Sequence, residues 1–153
     1  MTTYTIIDTP FGQITLFASE YYLQGIDLFN IQADTISQSS PITQQLSREL
    51  KDFFIQAHNA WSIPLMYAGT DFQQTVWQYL RMIPIGETRT YSEVASALNT
   101  SARAVGNVCR ANPFPIVVPC HRVVSKAGLG GFAGKIEGHE MTVKQWLLDH
   151  EQK

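Results

Sequence analysis

The hydrophobic periodicity of this chain changes once, near residues 66–70, and that change restricts the fold more than any other feature. Before it, apolar residues lie in short β-rich runs, Thr3 to Asp8, Phe11 to Ala18 and Tyr22 to Phe29. Thr9-Pro10 and Ser19-Glu20 separate them with turn signals, which predicts an antiparallel meander. The polar stretch Ile31 to Pro41 has no period and reads as a loop. Leu46, Leu50, Phe53 and Phe54 then recur at three- or four-residue spacing, predicting an amphipathic helix from about Thr43 to Ala57. From Asp71 the pattern is mainly helical, with Phe72, Val76, Tyr79 and Leu80 on one face as far as the Pro84 break. With 153 residues, 44% hydrophobic and 16% charged, the chain can bury a real core, which excludes disordered, collagen-like and coiled-coil classes. The expected fold class is therefore α+β in one bipartite unit. Residues 1–67 form a small antiparallel sheet plus helix with a scaffold role, and residues 68–153 form a mainly helical half that carries the function.

The formal net charge of -2 conceals a partition along the chain. Residues 1–80 carry two basic side chains, Arg48 and Lys51, against seven acidic ones. Residues 81–135 reverse this, with Arg81, Arg89, Arg103, Arg110, Arg122, Lys126 and Lys135 against Glu87 and Glu93, an excess of five. A local positive field is what a phosphate backbone requires, although a solvated surface can carry the same excess. The two cysteines, Cys109 and Cys120, form no CxxC pair, so neither a disulfide framework nor a thiol-zinc site is expected. No apolar run approaches the ~20 residues of a membrane helix and no basic-apolar leader is visible, so we expect a soluble, cytoplasmic protein with free thiols.

Inside the basic segment, Thr90-Tyr91-Ser92-Glu93 has the form of a capping box, which predicts a helix through Val94, Ala95 and Leu98. Asn99 to Ser101 make a polar turn, and Ser101 can cap a second helix, Ala102 to Arg110. Two short helices joined tightly suggest a helix-turn-helix, in which the small residues Ala102, Ala104 and Gly106 permit close approach to a groove. The spacing alone equally describes an ordinary helical hairpin.

The segment Ile116-Val117-Val118-Pro119-Cys120-His121-Arg122-Val123-Val124 places a thiol beside a base and a cation, between two β-branched apolar runs. A free thiol of pKa ~8.5 is only a few per cent thiolate at neutral pH, so a nucleophilic cysteine needs a proton acceptor and a group to orient it. His121 is the available acceptor. Neighbours on an extended strand face opposite ways, so direct contact from Cys120 to His121 requires a turn, which a bridging water would make unnecessary.

Pro119-Cys120-His121-Arg122-Val123 resembles the active-site motif of the O6-alkylguanine-DNA alkyltransferases, the methylated-DNA-protein-cysteine methyltransferases. Four further segments match that family in order: Gly69 to Trp77, Ile83 to Thr88 with Tyr91-Ser92, Arg103-Ala104-Val105-Gly106, and Asn112-Pro113. The resemblance is dense over about residues 69–151 and loose before it.

The resemblance implies a winged helix-turn-helix and single-use repair of double-stranded DNA containing O6-alkylguanine, without a cofactor or metal and by a monomer. The alkyl group passes to Cys120, which must ionise at the mouth of a cavity that receives a flipped base. A chain of Cys120, water, His121 and Glu151 activates the sulfur, and Asn112 braces the helix-turn-helix. Tyr91, Pro115, Phe132, Ala133 and the carbonyls of Cys120 and Val123 form the base pocket. Arg103 fills the vacated stack, with Ala102, Gly106, Arg110, Gln73, Ser92 and Lys126 at the DNA. Phe132 and Ala133 stand where relatives often have tyrosine and serine, and Cys109 is expected to pack at the pocket wall. Two other readings are a damage-binding alkyltransferase-like protein, which lacks the nucleophile, and a thiol hydrolase using Cys120 and His121.

Overall fold

The computed structural model describes residues 2–30 and 37–153, and the chain divides into two compact units, Met1–Ala68 and Gly69–Lys153. The first unit is built on three antiparallel strands in the order β1 (Thr3–Thr9), β2 (Gly12–Ala18) and β3 (Leu23–Asp27). Ile14, Leu16 and Ala18 alternate along β2 and are fully buried, so the period-two pattern becomes the inward face of the sheet. Helix α1 (Pro41–Ile55) starts with a capping box between Ser40 and Thr43 and with proline in its first turn. Its buried Leu46, Leu50 and Phe53 lie on one side, each worth about 1.5–3 kcal/mol of burial. After α1 the chain returns beside β3, where the Leu23 N–H donates to the Pro64 carbonyl at 2.8 Å and the Leu23 carbonyl accepts from Met66 N–H at 2.9 Å. The expected loop over Ile31 to Pro41 falls partly on residues 31–36, outside the described residues; Pro41 itself begins α1.

The second unit contains α2 (Asp71–Leu80), a short strand β4 (Arg89–Thr90), α3 (Tyr91–Leu98), α4 (Ala102–Arg110), β5 (Val123–Val124) and α5 (His139–Glu151). Thr70 with Gln73 caps α2 and Thr90 with Glu93 caps α3. Asn99 ends α3 in the left-handed conformation, where asparagine is tolerated, and the Ser101 hydroxyl accepts from Ala104 N–H to start α4. Within α2 the inward face is the predicted one at Val76 and Leu80, which are fully buried, but not at Phe72. Phe72 is 40% exposed, and Trp77 takes the core position, its indole N–H donating to the Val108 carbonyl of α4 at 3.2 Å. An indole fills more volume and needs a partner for its N–H, and α4 supplies both. β4 and β5 pair in parallel, Arg89 with Val123 and Thr90 with Val124. No helix among the described residues is long and apolar enough to cross a membrane.

Candidate active site

Pro119 is followed not by an extended strand but by a 3-10 turn, Cys120–Arg122, and only Val123 and Val124 remain in strand geometry. The chain reverses before it: Ile116 has φ +76°, which costs a β-branched residue about 1–2 kcal/mol. Burial of Phe114, Ile116, Val117 and Val118 offsets that strain. The turn directs Cys120 and His121 to different partners.

Asn112, two residues beyond the end of α4, holds the sulfur in place. Its amide donates to the Val118 carbonyl at 2.8 Å and to Cys120 Sγ at 3.2 Å, and its carbonyl oxygen accepts from Phe114 N–H at 2.9 Å. On the other side of the turn, His121 Nε2 lies 2.8 Å from Glu151 Oε2, at the end of α5. Arg122 donates to both oxygens of the same carboxylate, Nε to Oε1 at 2.9 Å and Nη2 to Oε2 at 2.7 Å, and through Nη1 to the Ile83 carbonyl at 2.8 Å. Burial pushes the Glu151 carboxyl up, but the hydrogen bonds from His121 and Arg122 outweigh it and hold the group at about 2. A carboxylate accepts only, so Nε2 carries the imidazole hydrogen and Nδ1 keeps its lone pair. Nδ1 is buried and no described protein group bonds to it.

Cys120 is 7% exposed. Burial pushes the Cys120 thiol up, against the Asn112 amide and the Lys144 ammonium, which both favour the thiolate. The resting form is therefore a thiol rather than the ionised sulfur expected from the sequence, because the loss of water outweighs one amide and one cation. Burial also pushes the His121 imidazole down, so it is neutral at pH 7 and able to take a proton.

Cys120 lines a cavity of about 440 Å³ together with Tyr91, Phe132 and Ala133, and with Arg103, Gly106 and Arg110 of α4. That volume suits a small-molecule or single-base ligand. Burial pushes the Tyr91 phenol up to about 12, so it stays a hydrogen-bond donor. Gly130 has φ +74°, and a Cβ there would meet the Tyr91 ring at 2.9 Å, so only glycine lets this loop approach so closely. Pro115 and Val123 are not on the cavity lining; Pro115 bridges to Val118, and the Val123 carbonyl accepts from Lys144. Ala102 begins α4, Ser92 and Lys126 are exposed, and Gln73 Oε1 accepts from Thr70 N–H as part of the α2 cap. Cys109 also lines the cavity, and burial pushes its thiol up as it does that of Cys120.

The C-terminal part of the chain, residues 71–153, matches the family model described as 6-O-methylguanine DNA methyltransferase, DNA binding domain. The chain belongs to this methyltransferase family. A probable methylated-DNA-protein-cysteine methyltransferase of Acanthamoeba polyphaga mimivirus is 39% identical, over 97% of this chain and 95% of its own. The constitutive Bacillus subtilis methylated-DNA-protein-cysteine methyltransferase is 33% identical over 99% and 96%. The crystal structure of Mycobacterium tuberculosis OGT in complex with DNA superposes with a TM-score of 0.82, at 34% identity, over 98% of this chain and 92% of that one. With membership comes the enzyme class, transfer of a methyl group from methylated DNA to a protein cysteine, and the DNA-repair and DNA-binding character of the methyltransferases.

Two residues of this methyltransferase's site were not singled out by sequence reasoning. Arg122 was read only as part of the motif, yet it is fully buried on Glu151. Lys144 is also fully buried, its ammonium donating to the carbonyls of Val123, Leu129 and Gly131 at 2.8, 2.7 and 2.9 Å. Burial pushes it down to about 8, against the two cysteine sulfurs. The available signal was its place next to Val143 and seven residues, two helical turns, before Glu151, on the inward face that Val143 and Leu147 mark. Among the described residues no group of three or more His, Cys, Asp or Glu side chains is placed to hold a metal ion.

Proposed function

We propose that this chain repairs O6-alkylguanine in double-stranded DNA by moving the alkyl group onto Cys120, once per molecule and without a cofactor. The observation that carries this reading is a buried thiol on the wall of a base-sized cavity, with Asn112 on its sulfur and a neutral histidine, itself fixed by Glu151, next in the chain. In the transfer, the Cys120 proton passes through a water to His121 Nδ1, sulfur bonds to the alkyl carbon, and the carbon–O6 bond breaks. The electron pair leaves on guanine, where the Tyr91 hydroxyl offsets the charge. Phe132 and Ala133 wall the base.

An alkyl carbon inside a stacked duplex cannot be approached in line by a sulfur, so the base is flipped out at a cost of a few kcal/mol. In this reading α3 and α4 act as a winged helix-turn-helix with α4 in the minor groove. Ala102 and Gly106 allow the close approach, and Arg103 fills the vacated stack. Arg110, Ser92, Lys126 and Gln73 lie towards the phosphates. Unit Gly69–Lys153 carries the reaction as a monomer, Met1–Ala68 serves as scaffold, and a reducing compartment such as the cytoplasm keeps the thiol free.

Incubation with a duplex containing O6-methylguanine should add one methylene mass to Cys120, with no turnover beyond one equivalent. O4-methylthymine in the same panel would define the base range. Binding without an adduct would mean a damage-binding protein, and turnover of an ester would mean a thiol hydrolase. Arg103→Ala should slow repair of duplex at least tenfold more than reaction with free O6-methylguanine base; equal losses would reject the insertion role.

A further inference from the structure

We infer that Arg122 is a positioning residue of the alkyl-transfer site: by occupying both oxygens of the Glu151 carboxylate it lets His121 rest as a neutral base. The inference rests on the alkyl-transfer reading above and adds a residue to it.

The Glu151 side chain is almost without solvent contact and His121 touches it directly. A buried carboxylate with an imidazole as its only neighbour would draw a proton onto that imidazole, since an ion pair costs less than an unpaired buried charge. An imidazolium carries hydrogens on both ring nitrogens and cannot accept one from Cys120. Arg122 removes that demand. Its guanidinium stays charged across the working pH range and meets the carboxylate as a two-pronged fork, at 2.9 and 2.7 Å. The bond from Nη1 to the Ile83 carbonyl at 2.8 Å fixes the fork from the side away from the carboxylate. With the carboxylate already balanced, His121 contributes only a neutral N–H to Oε2, and Nδ1 keeps the lone pair the thiol proton needs.

Of the other charged and titratable groups facing His121, only Lys144 acts in the same direction as Arg122. Glu151 and Lys144 face it from α5, and Cys120 and Arg122 flank it on its own turn. Arg122 and Lys144 both oppose a protonated ring, leaving Glu151 as the one group that favours it. Removing Arg122 therefore moves the balance toward imidazolium.

The test is the pH profile of single-turnover alkylation, measured from pH 5 to 9 on saturating O6-methylguanine duplex and scaled to the folded fraction. Wild type should lose rate only below the ordinary histidine range. Arg122→Met should move that acid limb up by at least one pH unit, so that at pH values on the acid side of both limbs the rate falls at least tenfold, a loss that is largely regained near pH 9. Arg122→Lys keeps a charge but not the fork, and should shift the limb the same way by less; it also covers the case in which the methionine variant does not fold. The double variant Arg122→Met with Glu151→Gln has no carboxylate to charge the ring, so its acid limb should return to the wild-type position even though the absolute rate stays low. An unshifted limb in both single variants would overturn the inference, as would a limb that stays shifted in the double variant. A wild-type protein that takes up no methyl group would overturn the alkyl-transfer reading itself, whereas a reacting wild type with unshifted variants would overturn only the role of Arg122.

Discussion

Serine in place of Cys120 will leave the protein with no alkyl acceptor, while its affinity for alkylated duplex changes by less than about threefold, under ~0.7 kcal/mol. The hydroxyl is smaller, far less acidic and a weaker nucleophile than sulfur at carbon. Nothing else in the site compensates. The Asn112 amide can still donate to the new hydroxyl, so the turn keeps its brace. A cysteine that contributes mainly as a small apolar group is replaced at modest cost to folding. Intact-protein mass after incubation with O6-methylguanine duplex, alongside fluorescence anisotropy with the same duplex, separates the two properties. Loss of binding together with loss of transfer would show that the sulfur holds the fold rather than performs the chemistry.

Glu151→Gln is the change with the next largest effect. It is nearly isosteric, but it leaves the Arg122 guanidinium buried with no anion. Removing one partner of a buried pair costs about 3–5 kcal/mol, a large share of the ~5–15 kcal/mol that holds a domain together. Denaturation at pH 7 should reveal a loss of that size, and the rate of alkylation should fall because the imidazole is no longer oriented. The acid behaviour gives a second signature. A carboxyl held at about 2 when folded and near its ordinary 4.5 when unfolded contributes stability that is fully present above the higher value and is lost as pH falls toward the lower one. The lowered histidine works in the same direction from about 6.5 downward, because the unfolded chain binds that proton first. Wild type should therefore weaken in two stages as acid is added. The glutamine variant should lack the second stage, and retention of both stages would place the titrating carboxyl elsewhere.

Those two stages originate in residues that were not equally legible. The strands of the first unit and α3 with α4 could be read from alternation, a capping box, a polar turn and the Ser101 cap, because local signals and burial agree there. Helix α5 could not. Its inward face combines Val143 and Leu147 with Lys144, His150 and Glu151, so the polar residues that do the work erase the apolar stripe that would have announced the helix. The turn at Cys120–Arg122 was hidden for a different reason: a β-branched run predicts a strand, and only tertiary burial stabilises Ile116 with positive φ. In α2 the spacing put Phe72 in the core and did not mark Trp77, whose place there depends on an acceptor on α4 that lies 31 residues away in sequence. Cys120, His121, Asn112 and Glu151 were named by motif, but the partition of the carboxylate between His121 and Arg122 is a property of geometry alone.

Between β5 and α5 the described residues make two isolated bridges, Ser125 with Gly128 and Phe132 with Lys135. The segment is also held from outside, by the Leu129 and Gly131 carbonyls that gather with that of Val123 on the Lys144 ammonium. A wall anchored through backbone oxygens keeps that anchor whatever side chain faces the guest at Phe132, whereas Ala133, at φ +52°, limits its position to residues that accept a left-handed backbone. The reacting sulfur has a separate mooring on Asn112. Selectivity and reactivity in this protein are thus able to evolve on independent foundations.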